Sequence, residues 1–325
     1  ELLQSCMYPL FQPPSPLRLL MTLHTFGDEN SGLSASCADR PLGRIIAHRG
    51  APRHAPENTL AAFRAAHDLG ARWCETDVLL SRDDVPVIFH DNQLERCTDV
   101  TGLVKELTAD QLFSLDAGSH FSQQFAGAGI PSLEKVLYLC GELGMGLNLE
   151  IKHANDDETV IPNDDEVEHE KQLTHATIDV IENYWESGGN CDVFFSSYSY
   201  AVLDICKRRL PHVGRGLLVN GIPSDYKELV CRYACSSMHF WTEDASTSME
   251  LIAEASAFVP LYAYTINDGS SARKYLSWGC AGIFTDALDA VTTSVCEHEW
   301  SLLGSCHETA TEALDVAAPN DVLVN

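Results

Sequence analysis

The sequence predicts an α/β fold: parallel strands wrapped by helices and closed into a (β/α)8 barrel, with a small insertion after the early strands. Three observations predict it. Short apolar runs alternate with helix-period stretches along most of the chain, and about eight such units are enough to close a barrel. A 325-residue chain that is 45% hydrophobic fills a full core, and α/β barrels run to about 200–250 residues as one unit. Finally, His48, Glu75, Asp77, His90, Glu150 and Lys152 fall at or near the ends of predicted strands, where such a barrel builds its active site.

Residues 1–43 read as an extension with little structure, broken by Pro13, Pro14 and Pro16. Its apolar run Leu17–Leu23 contains Arg18 and falls short of the about 18 apolar residues that a membrane span needs. No secretory leader pattern follows. No other stretch is long enough to span either, so stable membrane insertion is not expected.

The barrel is expected over 44–295, with 296–325 an acidic tail. Ile45-Ile46-Ala47 is a buried strand that delivers His48, Arg49 and Gly50 at its carboxyl end. Asn58 or Thr59 caps a helix carrying Leu60, Phe63 and Ala66 at helical spacing, and Gly70 stops it. Arg72–Leu80 is the next strand, and Val85–Phe89 another, ending at His90-Asp91. The link between them, Ser81 to Asp84, is too short for a helical crossover. From 92 to 131 the composition turns polar, with Gly102, Gly118, Gly127 and Gly129, and this is the insertion. It holds a helix over Thr108–Leu115.

Ser132 caps a helix over Leu133–Leu143, and Gly146–Lys152 is a strand. The acidic stretch 154–171 reads as a solvated loop leading into a helix through Ala176–Tyr184. Strands are then expected at Val193–Ser197, Gly216–Val219, Ser236–Phe240, Leu261–Ile266 and Ala281–Thr285. Helices fall between them, near Ala201–Arg209, Tyr226–Ala234, Ser248–Ala257 and Ser270–Trp278.

The chemistry follows from strand periodicity. Side chains alternate across a strand, so Glu75 and Asp77 share a face with Trp73 and Leu79. Two carboxylates two residues apart on a largely buried strand repel and lose solvation unless a cation neutralises them. Asn148, Glu150 and Lys152 also share one face, and Glu150 supplies a third carboxylate. An all-oxygen set of this kind suits one divalent cation, Mg2+ or Ca2+. Histidine is the side chain suited to general acid–base work near neutrality, which makes His48 and His90 the candidates for it. Arg49 and Lys152 offer positive charge to a phosphate. Glu57 is placed to support the site by hydrogen bonding, or to complement its helix dipole. Of the remaining candidates near the mouth (His54, His67, His239 and Trp241), the last two are the better placed to line a pocket.

The formal charge of 21 − 47 = −26 argues against nucleic acid or an anionic membrane as partner. An anionic substrate then needs local positive charge, which the metal, Arg49 and Lys152 would supply. Twelve cysteines without regular spacing do not form a disulfide framework. Cys74, Cys140, Cys206 and Cys280 lie in apolar runs, as packed thiols do. A reducing cytoplasm is the expected location. Cys296, His298, Cys306 and His307 match no common zinc spacing.

Taken in order, His48-Arg49-Gly50, Ala55-Pro56-Glu57-Asn58-Thr59, Glu75-Thr76-Asp77, Phe89-His90-Asp91, Leu115-Asp116-Ala117-Gly118 and Glu150-Ile151-Lys152 resemble the glycerophosphodiester phosphodiesterase family. Ser196-Ser197, Tyr264-Thr265-Ile266-Asn267 and Gly282-Ile283-Phe284-Thr285-Asp286 agree with it, and the resemblance covers about residues 44–292. It implies a TIM barrel with the insertion at 92–131. It also implies hydrolysis of small glycerophosphodiesters, such as glycerophosphocholine and glycerophosphoethanolamine, to sn-glycerol 3-phosphate and an alcohol. His48 and His90 would be the catalytic pair. Two other readings stand beside it: a lysophospholipase D-type phosphodiesterase acting on lysophospholipids, and a catalytically silent binding barrel. Oligomeric state is not legible.

Overall fold

The computed structural model describes residues 42–153, 161–244 and 247–295. Strands β1 (Ile45–Ala47), β2 (Trp73–Leu80), β4 (Gly146–Ile151), β5 (Val193–Ser197), β6 (Gly214–Val219), β7 (Ser237–Trp241), β8 (Leu261–Tyr264) and β9 (Gly282–Thr285) pair in parallel, each with the next. The ring closes because β1 pairs with both ends of the series: Ala47 lies opposite Cys74 of β2, and Ile45 opposite Ile283 of β9. This is the TIM barrel.

The short Ser81–Asp84 link resolves as a hairpin. β3 (Pro86–Ile88) runs antiparallel to the overhanging end of β2, with Leu79 opposite Val87. Asp84 takes a φ of 60° at the turn. The hairpin opens the insertion, which carries α2 (Ala109–Phe113) behind a Thr108–Gln111 capping box. Its own small core gathers Leu79, Phe89, Leu94 and Leu112.

Around the barrel run α1 (Leu60–Asp68), α3 (Leu133–Leu143), α4 (Asp164–Glu186), α5 (Tyr200–Arg209), α6 (Tyr226–Tyr233), α7 (Met249–Ser256) and α8 (Gly269–Ser277). Alternation decides which side chains meet them. In β2, Cys74, Val78 and Leu80 pack outward in the cluster shared with α3 and α4, while Trp73 joins Leu42, Ile46, Phe194, Tyr262 and Phe284 inside the barrel floor.

The acidic stretch is not all loop. α4 begins at Asp164, behind a capping box in which the Asn163 side chain accepts from Asp165 and Glu166. Asp164, Asp165 and Glu166 fill the first turn, where negative charge complements the helix dipole. Glu170 is buried and accepts from Ser199 Oγ at 2.5 Å. Charge density alone hid a capped helix N-terminus. The acidic tail and the Cys296–His307 group lie outside the described residues, as do 1–41 and 154–160. Among the described residues no helix is long and apolar enough to cross a membrane.

Gly50 sits at φ 84°, where a Cβ would come within 2.7 Å of the Ala62 backbone. Its lack of a side chain lets the turn after β1 lie against α1. Gly50→Ala is therefore expected to cost about 2–3 kcal/mol through strain and overlap. Thermal unfolding should read this as a fall of about 4–12 °C in Tm; an unchanged Tm would contradict the packing.

Candidate active site

Strand register builds the acidic centre. Across the β2–β4 pair, Glu75 lies opposite Asn148 and Asp77 opposite Glu150. One oxygen from each of Glu75, Asp77 and Glu150 falls within 4.8 Å of the others. Glu75 and Asp77 are 3% and 1% exposed, so water does little to screen their repulsion. Burial, with Asp77 and Glu150 beside it, pushes the Glu75 carboxyl well above the ordinary carboxylate range. Asp77 is equally buried, yet His90, Arg49 and Lys152 hold it below that range. Glu75 Oε1, Asp77 Oδ1 and Asn148 Oδ1 are buried without a hydrogen-bond partner. Unsatisfied oxygens among crowded carboxylates fit a hard divalent cation, which would take them as ligands.

Two cations are held against this centre. The Arg49 backbone, in the left-handed region at φ 54°, donates its N–H to Glu75 Oε2 at 3.0 Å. The guanidinium reaches Glu57 Oε1 at 2.9 Å and lies 3.5 Å from Asp77 Oδ2. Lys152 Nζ is 3.0 Å from Glu150 Oε1 and 3.7 Å from Asp77 Oδ1. Burial opposes both charges, but the neighbouring carboxylates outweigh it and raise both above their ordinary values.

The imidazoles flank the carboxylates in matching fashion. His48 Nδ1 donates to Asp286 Oδ1 at 2.7 Å, because a carboxylate can only accept, and its Nε2 lies 3.8 Å from Glu75 Oε2. His90 Nδ1 donates to Asp91, and its Nε2 lies 4.0 Å from Asp77 Oδ1 and 3.4 Å from Lys152 Nζ. Each ring is thus fixed in one tautomer with Nε2 turned to the cavity. Asn267 donates to the second oxygen of Asp286 at 2.8 Å. Burial works against the Asp286 charge, but His48 and Asn267 bring the carboxyl down to about 2.

Sequence reasoning quoted Asp91, Asn267 and Asp286 in motifs but gave them no task. Asn58 was expected as a possible helix cap; Thr59 makes that cap, and Asn58 turns to the site instead. It takes a φ of 56°, donates to Asp77 Oδ2 at 2.9 Å and accepts from Thr76 at 2.7 Å. The signal available was their presence in the quoted motifs, and for Asp91 its place next to His90; Asp286 meets His48 across 238 positions.

These groups open on a cavity of about 370 Å³. Its charged wall is His48, Arg49, Glu75, His90, Glu150 and Lys152, while Tyr198, Asn220, Trp241 and Tyr264 line the other side. His239 lies at the bottom, fully buried, with Nε2 on Ser237 Oγ at 2.8 Å and its ring among Phe194, Tyr262 and Phe284. Burial lowers its pKa to about 3, so it stays neutral. Gly216 faces it because a Cβ there would approach the ring to 2.5 Å. Trp241 stands half-exposed at the rim. His54 and His67 do not line the cavity: the first pairs with Asp289 at 3.4 Å, and the second lies beside Asp68.

Residues 48–290 match the model of the glycerophosphoryl diester phosphodiesterase family. A glycerophosphodiester phosphodiesterase of Caldanaerobacter subterraneus subsp. tengcongensis is 31% identical over 244 residues, covering 74% of this chain and 93% of its own. Human glycerophosphodiester phosphodiesterase 1 is 38% identical over 121 residues, covering 36% of this chain and 37% of its own. An Oleispira antarctica phosphodiesterase, solved with the product sn-glycerol-3-phosphate, superposes with a TM-score of 0.69 at 33% identity. It covers 78% of this chain and 97% of its own.

Burial and its carboxylate neighbours strengthen Glu75's hold on a proton, so an entering cation competes with protons there and its affinity weakens as pH falls. Calorimetric titration with Mg2+ or Ca2+ in buffers of different ionisation heat should read proton release on binding. Binding heats independent of the buffer would contradict this.

Proposed function

The chain belongs to the glycerophosphoryl diester phosphodiesterase family, and on that premise we propose that it hydrolyses small glycerophosphodiesters, glycerophosphocholine and glycerophosphoethanolamine among them, to sn-glycerol 3-phosphate and an alcohol. One observation carries this reading beyond the family. Glu75, Asp77 and Glu150 converge on one point with both imidazole Nε2 atoms, Arg49 and the buried Lys152 beside it.

Glu75, Asp77 and Glu150 would hold one Mg2+ or Ca2+, which when bound offsets charge on the phosphate oxygens. Arg49 and Lys152 add fixed positive charge on the same side, already oriented by Glu57 and Glu150. Cleavage also needs a proton taken from the nucleophile and one given to the leaving alcohol. His48 and His90 serve these two steps through Nε2, one neutral and the other protonated, while Asp286 and Asp91 hold the opposite nitrogens. The nucleophile is water or the glycerol 2-hydroxyl of the substrate. The wall formed by Tyr198, Trp241 and Tyr264 receives the alcohol arm, with His239 as its neutral floor. The Caldanaerobacter enzyme's name and the product bound by the Oleispira enzyme support this substrate class. The described cysteines are all free, which supports a reducing, cytoplasmic location.

His48→Ala and His90→Ala should each lower turnover of glycerophosphocholine by about 10²–10⁴-fold while leaving thermal unfolding cooperative. Near wild-type rates in either variant would remove that residue from the chemistry. Chelation should abolish hydrolysis, and Mg2+ or Ca2+ should restore it; indifference to the chelator would end the metal assignment. Product analysis should give sn-glycerol 3-phosphate and choline, whereas phosphocholine would place the broken bond on the other side of phosphorus. A substrate lacking the 2-hydroxyl separates the two nucleophiles.

A further inference from the structure

Arg96 belongs to the insertion and does not line the cavity. Its side chain is nearly half exposed, and an exposed ion pair contributes about 0–1 kcal/mol in general. Its geometry is of another kind. Along one edge of the guanidinium, Nη1 and Nη2 donate to Glu57 Oε2 and Oε1 at 2.7 and 2.8 Å. Along the next edge, Nε and Nη2 donate to Asp91 Oδ2 and Oδ1 at 2.5 and 3.0 Å. Both carboxylates are more buried than Arg96 itself, at 18% and 22% exposure.

Each of those carboxylates leads to a residue of the site. Glu57 Oε1 also accepts from Arg49 Nη1 at 2.9 Å. Asp91 Oδ1 accepts from His90 Nδ1, the bond that turns His90 Nε2 toward Asp77 and Lys152. The chain of contacts therefore runs Arg49–Glu57–Arg96–Asp91–His90. Arg96 is the link between its phosphate-facing and proton-transferring ends. Without a cation between them, Glu57 and Asp91 would face each other as like charges with fewer donors.

We propose that Arg96 is a positioning residue for the hydrolysis: one guanidinium clamps Glu57 and Asp91, and so fixes the reach of Arg49 and the aim of His90 together. The insertion that carries it is then part of the catalytic apparatus. This rests on the phosphodiesterase reading above, in which Arg49 and His90 act on the substrate. A planar fork with donors on two edges meets this demand; the single ammonium of lysine does not.

The test uses Arg96→Ala and Arg96→Lys in the full chain, with hydrolysis of glycerophosphocholine, Tm and Mg2+ affinity measured on each. Both variants should lose about 10–100-fold in kcat/KM, as outer partners of site groups do. Their Mg2+ affinity should stay within a few-fold of wild type, since no ligand is touched. Low-millimolar guanidinium chloride should restore part of the Arg96→Ala activity, while the same concentration of sodium chloride should not. In ¹⁵N-histidine-labelled protein, the His90 Nδ1–H signal should broaden or vanish in both variants. Activity within twofold of wild type would overturn the proposal, as would an unaltered His90 signal or guanidinium that fails to rescue. If Arg96→Ala does not fold, Arg96→Lys carries the activity, Mg2+ and NMR comparisons alone. Inactivity of the wild-type chain would instead refute the phosphodiesterase reading, and the His90 signal still decides the proposal in that event.

Discussion

Like charge held close in a dry place governs this molecule. Glu75 and Asp77 are forced together by the two-residue period of β2, and the register of β4 brings Glu150 against Asp77. Unopposed, such a cluster would be among the most destabilising features the fold could contain. The remainder of the site answers it. Arg49 folds its backbone N–H and its guanidinium onto the cluster, Lys152 reaches across β4, and Asn58 spends both ends of its amide within the strand. Even beside these protein cations, burial and the neighbouring carboxylates keep the Glu75 carboxyl above its ordinary range, and oxygens of both Glu75 and Asp77 have no hydrogen-bond partner. The protein's own cations go part of the way toward neutrality, beside a cavity where a divalent ion would complete it.

The same arrangement explains how a strongly acidic protein receives an anionic substrate. A formal charge of −26 repels a phosphodiester at long range, but screening confines that field to about 10 Å at ordinary ionic strength. Within the barrel mouth Lys152 is buried and Arg49 part-buried, and both are held close to the carboxylates. The two imidazoles proposed as the acid–base pair are fixed as well. Asp286 and Asp91 come from different strands, one after β9 and the other after β3, and each commits one imidazole nitrogen. Preorganisation of this kind costs little at the moment of reaction.

The barrel was legible because its signals are periodic. Apolar runs such as Val193–Ser197 and capped helices such as Ser132 with Leu133–Leu143 announce themselves within a dozen residues. The convergence of Glu75, Asp77 and Glu150 was legible too, since acids on buried strands demand an explanation. What sequence could not give was pairing across the ring. Asp286 and His48 are 238 positions apart and meet only because β1 and β9 are neighbours. Arg96 sits in a polar insertion, where an arginine draws no notice until its two carboxylate partners are in place. The start of α4 was misread for a related reason: an acidic run reads as solvated until its capping box shows it as the first turn of a helix.

The central claim is that three carboxylates share one cation, and the most direct measurement is an anomalous-difference map from a crystal soaked in Mn2+, a stand-in for Mg2+ or Ca2+. The account predicts a single strong peak bonded to oxygens of Glu75, Asp77 and Glu150, with His48 and His90 beside it and not ligating. A map with no peak there, or with the ion held by the imidazoles and the carboxylates turned away, would contradict it.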